Sequence, residues 1–454
     1  MPDLALDSLL ERQDGSRDQI SRFVVAQAEG LERGGPNVER IDPHFAHACT
    51  AYLTSPFASA AIVVCDQVAP FVSVWRGGKT IEPVDWPWRG PGFSEVLRRA
   101  ANSLGFEGET ADYQLEALAR LRPSSRDSRV DALVAFKDGA IWIDPALDRQ
   151  IEEWVAGDRD AGSPRRAHLA SAVQQRVGDV LLELLAAVRE RLGTTHLCLG
   201  GSLFYHSSLN TLAKRSGLFA EVFVPIDPGH GGLSVGAALH GVGSAPARVS
   251  PFLGPSYTAE ETKQILDNCK LHYSWESDGQ AIAAAVEALK QGRLVGWFDG
   301  SMEWGPRALG ARCILANPSA PYVLENLNRF LKGREPWRGY SLSGLAESVT
   351  EHLDGPASAP FMECDYRPKD PERFRHVLPS PEAVVRVQTV SGHELPRFTH
   401  LLEAVGDALG LPFVINTSFN GFHEPIVCSP RDAVRVFYGT GLDLLVVNQF
   451  VLRK

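Results

Sequence analysis

Cations and glycines crowd two stretches of the sequence, MEWGPRALGARCILANP at residues 302–318 and LNRFLKGREPWRGYS at residues 327–341. Arg307, Arg312, Lys332, Arg334 and Arg338 fall there within reach of one small domain, and the glycines between them let a backbone approach a ligand closely. Any one of these side chains is most simply a surface cation paired with a carboxylate. The set together predicts a site for a polyanion, phosphate above all. A second group, Asn416, Thr417, Ser418 and Asn420 in FVINTSFNGFHEPIVCSP, follows an apolar strand at the place where α/β sheets put ligand groups. Alone it reads as a polar turn bonded to its own backbone. Beside the cation cluster it predicts hydroxyl and amide contacts to phosphate or ribose oxygens.

Two further groups lie earlier in the chain. His44 and His47 in PHFAHACTAY are three apart, a spacing that offers two imidazoles to a metal on a helix, and Asp66 closing AIVVCD adds a strand-end carboxylate. A histidine that merely packs or caps a helix is the competing reading. Gly200 and Gly201 in LCLGGSLFYHSSLN, with Gly229 and Gly231 in DPGHGGLSVGAAL, make two strand-to-helix glycine turns. They predict a nucleotide cradle, because glycine permits close approach and a helix N-terminus favours anions.

The elements that must position these groups are read from periodicity. Residues 1 to about 40 are polar, with helical stretches around DSLLERQ and RDQISRFVVAQAEGLERG and no strand that would open an α/β sheet. AIVVCD and FVSVWRGG predict a hairpin. GFSEVLRRAANSLGF and YQLEALARL predict amphipathic helices, and residues 123 to 165 give no clear pattern around the apolar run VDALVAF. Leu169, Val173, Val177, Leu181, Leu184, Val188 and Leu192 step along one face of a long helix that ends at Gly193. Strand HLCLGGS, helix SSLNTLAKRSG, strand EVFVPI and helix LSVGAALHG follow. An aperiodic Gly, Ser and Pro segment between 240 and 258 marks a domain boundary. Beyond it, helix AIAAAVEALKQG, strand RLVGWF, strand AVVRVQTV, helix PRFTHLLEAVGDALG, strand PFVINTSFN, helix SPRDAVRVFYGTG and a final strand LDLLVVNQFVL predict a second, mixed α/β domain.

Composition narrows the function classes. The chain of 454 residues carries 55 acidic against 45 basic side chains, a formal charge of −10, so no global attraction to nucleic acid or anionic lipid exists. No apolar run is long enough to span a bilayer, and the start MPDLALDSLLERQDGSRD lacks the order of a secretory signal, which predicts a cytoplasmic protein. The 7 cysteines form no C-x-x-C pair and read as reduced core residues, against a disulfide scaffold or a thiolate-built zinc site.

Taken together, EWGPRALGARCILANP, KGREPWRGYS, LPRF at 395–398, INTSFNGFHEPIVCSPRDA and GLDLLVVNQFVLRK resemble the O-carbamoyltransferases of the NodU/CmcH family, enzymes of nodulation-factor, cephamycin and aminoglycoside biosynthesis. The resemblance runs from about residue 42 onward. It implies a first domain, 41–245, on the actin and sugar-kinase superfold (ASKHA), like the tRNA threonylcarbamoylation ATPases but shortened, after an atypical segment at 1–40. It implies a linker at 246–258 and a second domain, 259–454, with a YrdC-like α/β fold. In such enzymes the second domain cleaves carbamoyl phosphate and joins the carbamate to ATP as a carbamoyl adenylate; the first moves the carbamoyl group to a hydroxyl. By resemblance Lys332 and Arg334 match a K-x-R element, Ser418 and Asn420 an S-x-N element, and Arg307 and Arg397 the arginines that hold phosphates. Arg312, Arg338, Asn416 and Thr417 would support them.

The first domain departs from the family pattern. The usual His-x-x-x-His reads Pro43 and His47, Gly-Asp-x-Gly reads Gly229-His230-Gly231-Gly232, an asparagine after the first glycine turn is Tyr205, and a lysine near YQLEALA is Gln114. The resemblance then implies a metal site of His47, Asp66 and His230, with His44 beside it, for Fe2+ or another divalent metal, and ATP with Mg2+ in the second domain. The small-molecule substrates would be carbamoyl phosphate and an alcohol or amine of a natural product. Three readings stay open in this order: a working carbamoyltransferase, a non-transferring subunit whose partner chain supplies the missing N-terminal strands, and an ATP-dependent activator of another small acid. A homodimer and a partner subunit both stay open.

Overall fold

The computed structural model describes residues 16, 20, 22–26, 37–242 and 249–454. The helix expected around DSLLERQ lies outside them. Within RDQISRFVVAQAEGLERG the expectation is corrected: Phe23–Ala26 is a strand, paired in parallel with Val38–Ile41. Its partners explain why a local window misses it. Val24, Ala26 and Ile41 pack against Leu233 and Ala237, some two hundred residues onward.

A five-stranded sheet forms the first layer, in the order Ile81–Val84, Val72–Gly77, Ala60–Cys65, His196–Gly200, Glu221–Phe223. The expected hairpin is present, with Ala60 opposite Gly77 and Cys65 opposite Val72, while Ala61–Val64 pairs in parallel with the strand that ends at Gly200. Every residue of Ala60–Cys65 is buried, because both faces of the sheet are covered. The helix Pro43–Leu53 packs on one side, with Gly232–Val242 beyond it. On the other lies a helical layer built around Pro164–Leu192. That 29-residue helix starts where the Ser163 hydroxyl accepts from the Arg166 N–H and stops at Gly193 with φ 66°. The apolar stripe read from the sequence faces inward from Leu169 to Val188, and Leu192 is partly exposed. Residues 123 to 165 resolve into the hairpin Val134–Lys137 and Ala140–Ile143, turned on Asp138 and Gly139, both at positive φ, and the helix Leu147–Val155.

The second layer is a ten-stranded mixed sheet. Its middle runs Leu444–Val447, Val295–Phe298, Arg312–Ala316, Phe413–Ser418, Ser341–Leu345, Val385–Val390. Helices Asp278–Lys290 and Pro396–Leu409 pack on one face and Pro430–Gly439 on the other. Two details differ from the sequence reading. LDLLVVNQFVL is a hairpin, Leu444–Val447 with Phe450–Arg453, reversed at Asn448 with φ 51°, since an asparagine tolerates the left-handed turn. ARCILANP supplies a central strand, fully buried from Arg312 to Ala316. Residues 249–258 carry no helix or strand and are pinned: Pro251 and Pro255 carbonyls accept from the Trp304 and Met302 N–H groups at 2.8 and 2.9 Å.

Candidate active site

The two layers meet on a chamber of about 500 Å3. Strand register brings one wall together. Cys313 pairs with Ser418 and Ser341 with Asn416, so Ser341, Asn416, Thr417 and Ser418 gather at the mouth of the sheet. The loop 299–311 carries Arg307 and wraps around Glu303, whose Oε1 accepts from the N–H groups of Leu309, Ala311 and Arg312 at 2.7, 3.2 and 3.2 Å. Arg334 and Arg338 sit on the loop that leaves the π-helical turn Asn326–Lys332 through Gly333, φ 56°. The Asn328 side chain fixes that loop by donating to the Pro336 and Arg338 carbonyls. From the first layer come Tyr113 and Glu116 of the helix Ala111–Ala119, Arg120 just after it, and Tyr205.

Charge is unevenly distributed in this chamber. Its lining holds Arg120, Arg307, Arg334, Arg338 and Arg386 against one carboxylate, Glu116. Glu116 pairs with Arg120 at 2.6 Å and with Arg386 at 3.1 Å, and Arg120 also pairs with Asp365 at 3.1 Å. The Ser207 hydroxyl lies at the centre of this network, within 2.6 Å of both Arg120 and Asp365. Burial pushes the Glu116 carboxyl up, but the two arginines outweigh it and hold it below the usual range. Burial, with Arg307 and Arg120 close by, pushes Arg386 down to about 9. Burial lowers Arg307 and Arg338 as well. Among the described residues Arg307 and Arg334 have no carboxylate within 4 Å; Arg307 donates to the Tyr205 carbonyl at 3.2 Å and Arg334 lies over the Tyr340 ring. Guanidinium groups crowded at low dielectric with few counter-charges make a receptor for a polyanion.

Of the residues expected to share one pocket, Arg307, Arg334, Arg338, Asn416, Thr417 and Ser418 line the chamber. Lys332 and Asn420 stand behind it. The Lys332 ammonium donates to the Ser418 carbonyl at 2.7 Å, to the Asn420 carbonyl at 3.1 Å and to the Asn420 Oδ1 at 2.5 Å, so all three of its protons are spent on holding the 418–420 loop. The Ser418 hydroxyl donates to the same Asn420 Oδ1. Burial and the nearby Arg334 push Lys332 down to about 7.

Two expected phosphate ligands are corrected. Arg312 is fully buried: it donates to the carbonyls of Pro255, Asp299, Gly300 and Ala311 and stacks on Phe298, because its position in a central strand aims it into the core. Arg397 is ion-paired with Asp299 and donates to the Asn448 carbonyl, tying a helix start to two strand ends outside the chamber. The sequence reading missed Arg120, Arg386, Glu116, Tyr113 and Glu303. A lone arginine within the apolar run AVVRVQTV, and Glu116 with Arg120 four apart in YQLEALAR, are the signals that could have found them.

The histidine group assembles differently from its spacing. His44 is corrected: both ring nitrogens are engaged, Nδ1 with the Ser73 hydroxyl at 2.8 Å and Nε2 with the Val68 carbonyl at 3.0 Å. His47, Asp66 and His230 instead bring one ligand atom each within 4.8 Å of one another. His47 is fully buried, and among the described residues neither of its ring nitrogens has a hydrogen-bond partner, although Nε2 lies 3.4 Å from Asp66 Oδ2. Burial pushes the Asp66 carboxyl up, but the His47 imidazole and the Ser202 hydroxyl and N–H outweigh it and hold it below the usual range. An unpartnered buried imidazole beside a carboxylate and a second imidazole is a donor set that fits a divalent first-row metal. The glycine turns are close-packed. Gly200, Gly201, Gly229 and Gly231 face the chain's own atoms at close range, so their missing side chains serve internal packing.

A family model described as carbamoyltransferase N-terminus matches residues 21–239, and one described as carbamoyltransferase C-terminus matches residues 286–454. The protein sll1178 of Synechocystis is 31% identical over 464 residues, 90% of this chain and 75% of its own length. Nodulation protein NolO of Bradyrhizobium diazoefficiens is 32% identical over 443 residues, 90% of this chain and 78% of its own. Among solved structures, the HypF of T. kodakarensis aligns with a TM-score of 0.32 at 14% identity, over 53% of this chain and 38% of that one, a likeness too slight to argue from. The two matched models together with relatives above 30% identity establish that the chain belongs to the carbamoyltransferase family of enzymes.

Proposed function

We propose that the chain activates carbamoyl phosphate with ATP and transfers the carbamoyl group to a hydroxyl or amine of a small natural-product acceptor. The observation that carries this reading is the chamber between the layers, with five arginines against one committed glutamate and the Ser418 strand end beside them. Water would first hydrolyse carbamoyl phosphate, breaking its bond to phosphate and leaving free carbamate and inorganic phosphate; joining that carbamate to ATP then brings anions together. Carbamate oxygen attacks the α-phosphorus, the bond to the pyrophosphate oxygen breaks with its electron pair, and the leaving group takes on charge. Arg307 and Arg334, with no carboxylate of their own, would bind the phosphates and offset that charge without first having to break an ion pair. Arg338 and Arg386 would extend the same field. Ser341, Thr417 and Ser418 would orient the nucleotide or carbamate by hydrogen bonds, and Lys332 with Asn420 would hold Ser418 in place. Enclosure between two layers limits water at a labile adenylate.

Glu116, the chamber's carboxylate, is bound to Arg120 and Arg386, so Mg2+ would enter as the counter-ion of the triphosphate rather than on a protein ligand. His47, Asp66 and His230 would hold a divalent metal in the first layer, where it would polarise the carbamoyl carbonyl for transfer. The five-stranded mixed sheet with helices on both faces supports reading the first layer as one lobe of the actin and sugar-kinase superfold. We take 259–454 as the activating half. The strand at Phe23–Ala26 supports starting the transfer half earlier than residue 41. The test is pyrophosphate release that needs both carbamoyl phosphate and Mg-ATP, followed by mass spectrometry of candidate acceptors. Release that proceeds as fast with acetate or formate in place of carbamoyl phosphate refutes the substrate assignment.

A further inference from the structure

The loop 333–339, which brings Arg334 and Arg338 to the chamber, belongs to the second layer, but its tip is seated in the first. Trp337 is half-buried against the core of the first layer, its ring centroid 6.1 Å from that of Phe106. Across from it lies Gly162, where a methyl group would run into the indole. Gly162 is not among the glycines at positive φ, so its backbone does not call for glycine; the space taken by the indole does. This seat is firm. The Gly162 N–H donates to Asp160 Oδ1 at 2.9 Å, and the next residue, Ser163, caps the 29-residue helix Pro164–Leu192. A second tie lies two residues before Trp337, where Glu335 Oε1 accepts from Gln114 Nε2 of the helix Ala111–Ala119 at 2.8 Å.

The loop needs an outside hold because it brings two cations together. Burial chiefly, with Arg334 adding to it against Glu335, lowers Arg338, whose guanidinium lies 3.8 Å from Glu335 Oε2. From its own layer the loop is held by Asn328, whose carbonyl accepts from the Arg334 N–H at 2.9 Å and whose side chain donates to the Pro336 and Arg338 carbonyls. These bonds fix the base of the loop; Trp337 fixes its tip. We infer, resting on the function proposed above, that Trp337 is a positioning residue for Arg334 and Arg338: seated on Gly162 and Phe106, it lets the first layer set the phosphate-binding loop of the second. With the seat lost, the loop spreads over positions that turn the arginines away, and a phosphate ligand must select the seated one. A loop seated one-tenth of the time weakens apparent affinity about tenfold and leaves the loaded site as it was.

The test compares Trp337→Ala with Gly162→Val, which fills the seat and leaves the loop's own sequence untouched. Two quantities are read on the full chain: the Kd of inorganic pyrophosphate with Mg2+ by calorimetry, and the kinetics of pyrophosphate release from carbamoyl phosphate and Mg-ATP. Each variant should weaken pyrophosphate binding about tenfold and raise the KM for Mg-ATP about tenfold, with kcat within about twofold of wild type. Trp337→Phe, which keeps a ring in the seat, should bring both back to within about threefold. The double variant should bind no more weakly than either single one, because both remove the same contact. A fall in kcat at unchanged KM is what loss of folded protein would give, and overturns the positioning role. So do additive losses in the double variant, or a Kd within about twofold of wild type in Trp337→Ala. If Gly162→Val does not fold, Trp337→Ala and its rescue by Trp337→Phe decide the matter. A wild type that binds pyrophosphate but releases none from the two substrates fails the proposed function, and the Kd values alone then judge the seat. A wild type that does not bind pyrophosphate overturns both.

Discussion

Replacing Arg307 with alanine separates a ligand cation from a structural one. The Arg307 guanidinium donates one hydrogen bond, 3.2 Å long, to the Tyr205 carbonyl and has no ion-pair partner among the described residues. Its removal orphans a carbonyl rather than an acid, which costs about 1 kcal/mol of stability. In the loaded chamber the same group would make charge-assisted bonds to phosphate oxygens worth about 1.5–3 kcal/mol. The kcat/KM for pyrophosphate formation should then fall about 10- to 150-fold. Arg120→Ala is the contrast. It strips a cation from Glu116 and Asp365, both buried, and breaking such a buried pair costs about 3–5 kcal/mol. The assay pairs pyrophosphate release from carbamoyl phosphate and Mg-ATP with denaturant unfolding of both variants. The reasoning is refuted if Arg307→Ala keeps its kcat/KM within about twofold of wild type, or unfolds as readily as Arg120→Ala.

Other consequences follow from the same geometry. Burial and Arg334 hold Lys332 near 7, below an ordinary lysine, so the folded chain binds fewer protons than the unfolded one between pH 7 and about 10.4. This contribution makes stability rise with pH through that window, and Lys332→Met should flatten the rise in urea titrations at pH 7.5 and 9.5; an unchanged slope would count against a buried, titrating ammonium. Elemental analysis of the purified chain should find about one divalent metal per chain, lost in His47→Ala, and a His47→Ala protein with full metal content would remove the cluster from consideration. Inorganic pyrophosphate at about 100 times its Kd should add about 2.7 kcal/mol to unfolding. That gain should vanish in the Arg307→Ala, Arg334→Ala double variant, and its persistence there would place the anion outside the chamber.

What the sequence disclosed follows the range of the interactions. The long helix at Pro164–Leu192 and the hairpin at Ala60–Gly77 were legible because periodicity is local and one or two faces bury uniformly. The cations of GPRALG and KGREPWRG were legible as a set, and six of the eight residues expected at the site, leaving aside Arg312 and Arg397, do line the chamber. Which arginine turns inward was not legible. Arg312 and Arg307 stand five apart in one motif, yet one begins a buried strand and the other rides a loop folded around Glu303. Lys332 looked like a phosphate ligand by type, and only the loop opposite it, eighty-six residues away, shows its protons already taken. His230 joined His47 and Asp66 through the packing of two helices, a contact that spacing within PHFAHACTAY could not suggest.

The chamber's location at the seam of the two layers has its own energetic logic. Neither layer could keep its share of these charges buried alone: Arg386 on the second sheet is balanced by Glu116 from the first, and Arg120 of the first by Asp365 of the second. Buried pairs of this kind are weak contributors to net stability, because desolvation cancels most of their attraction, but they are costly to break one partner at a time. They therefore specify how the layers dock more than how tightly. Once docked, the network consumes its own carboxylates and, among the described residues, leaves Arg307 and Arg334 with no carboxylate within 4 Å. On the proposed function, a substrate that carries phosphate would complete the charge balance that the fold leaves open, which would couple correct assembly of the two layers to occupancy of the site.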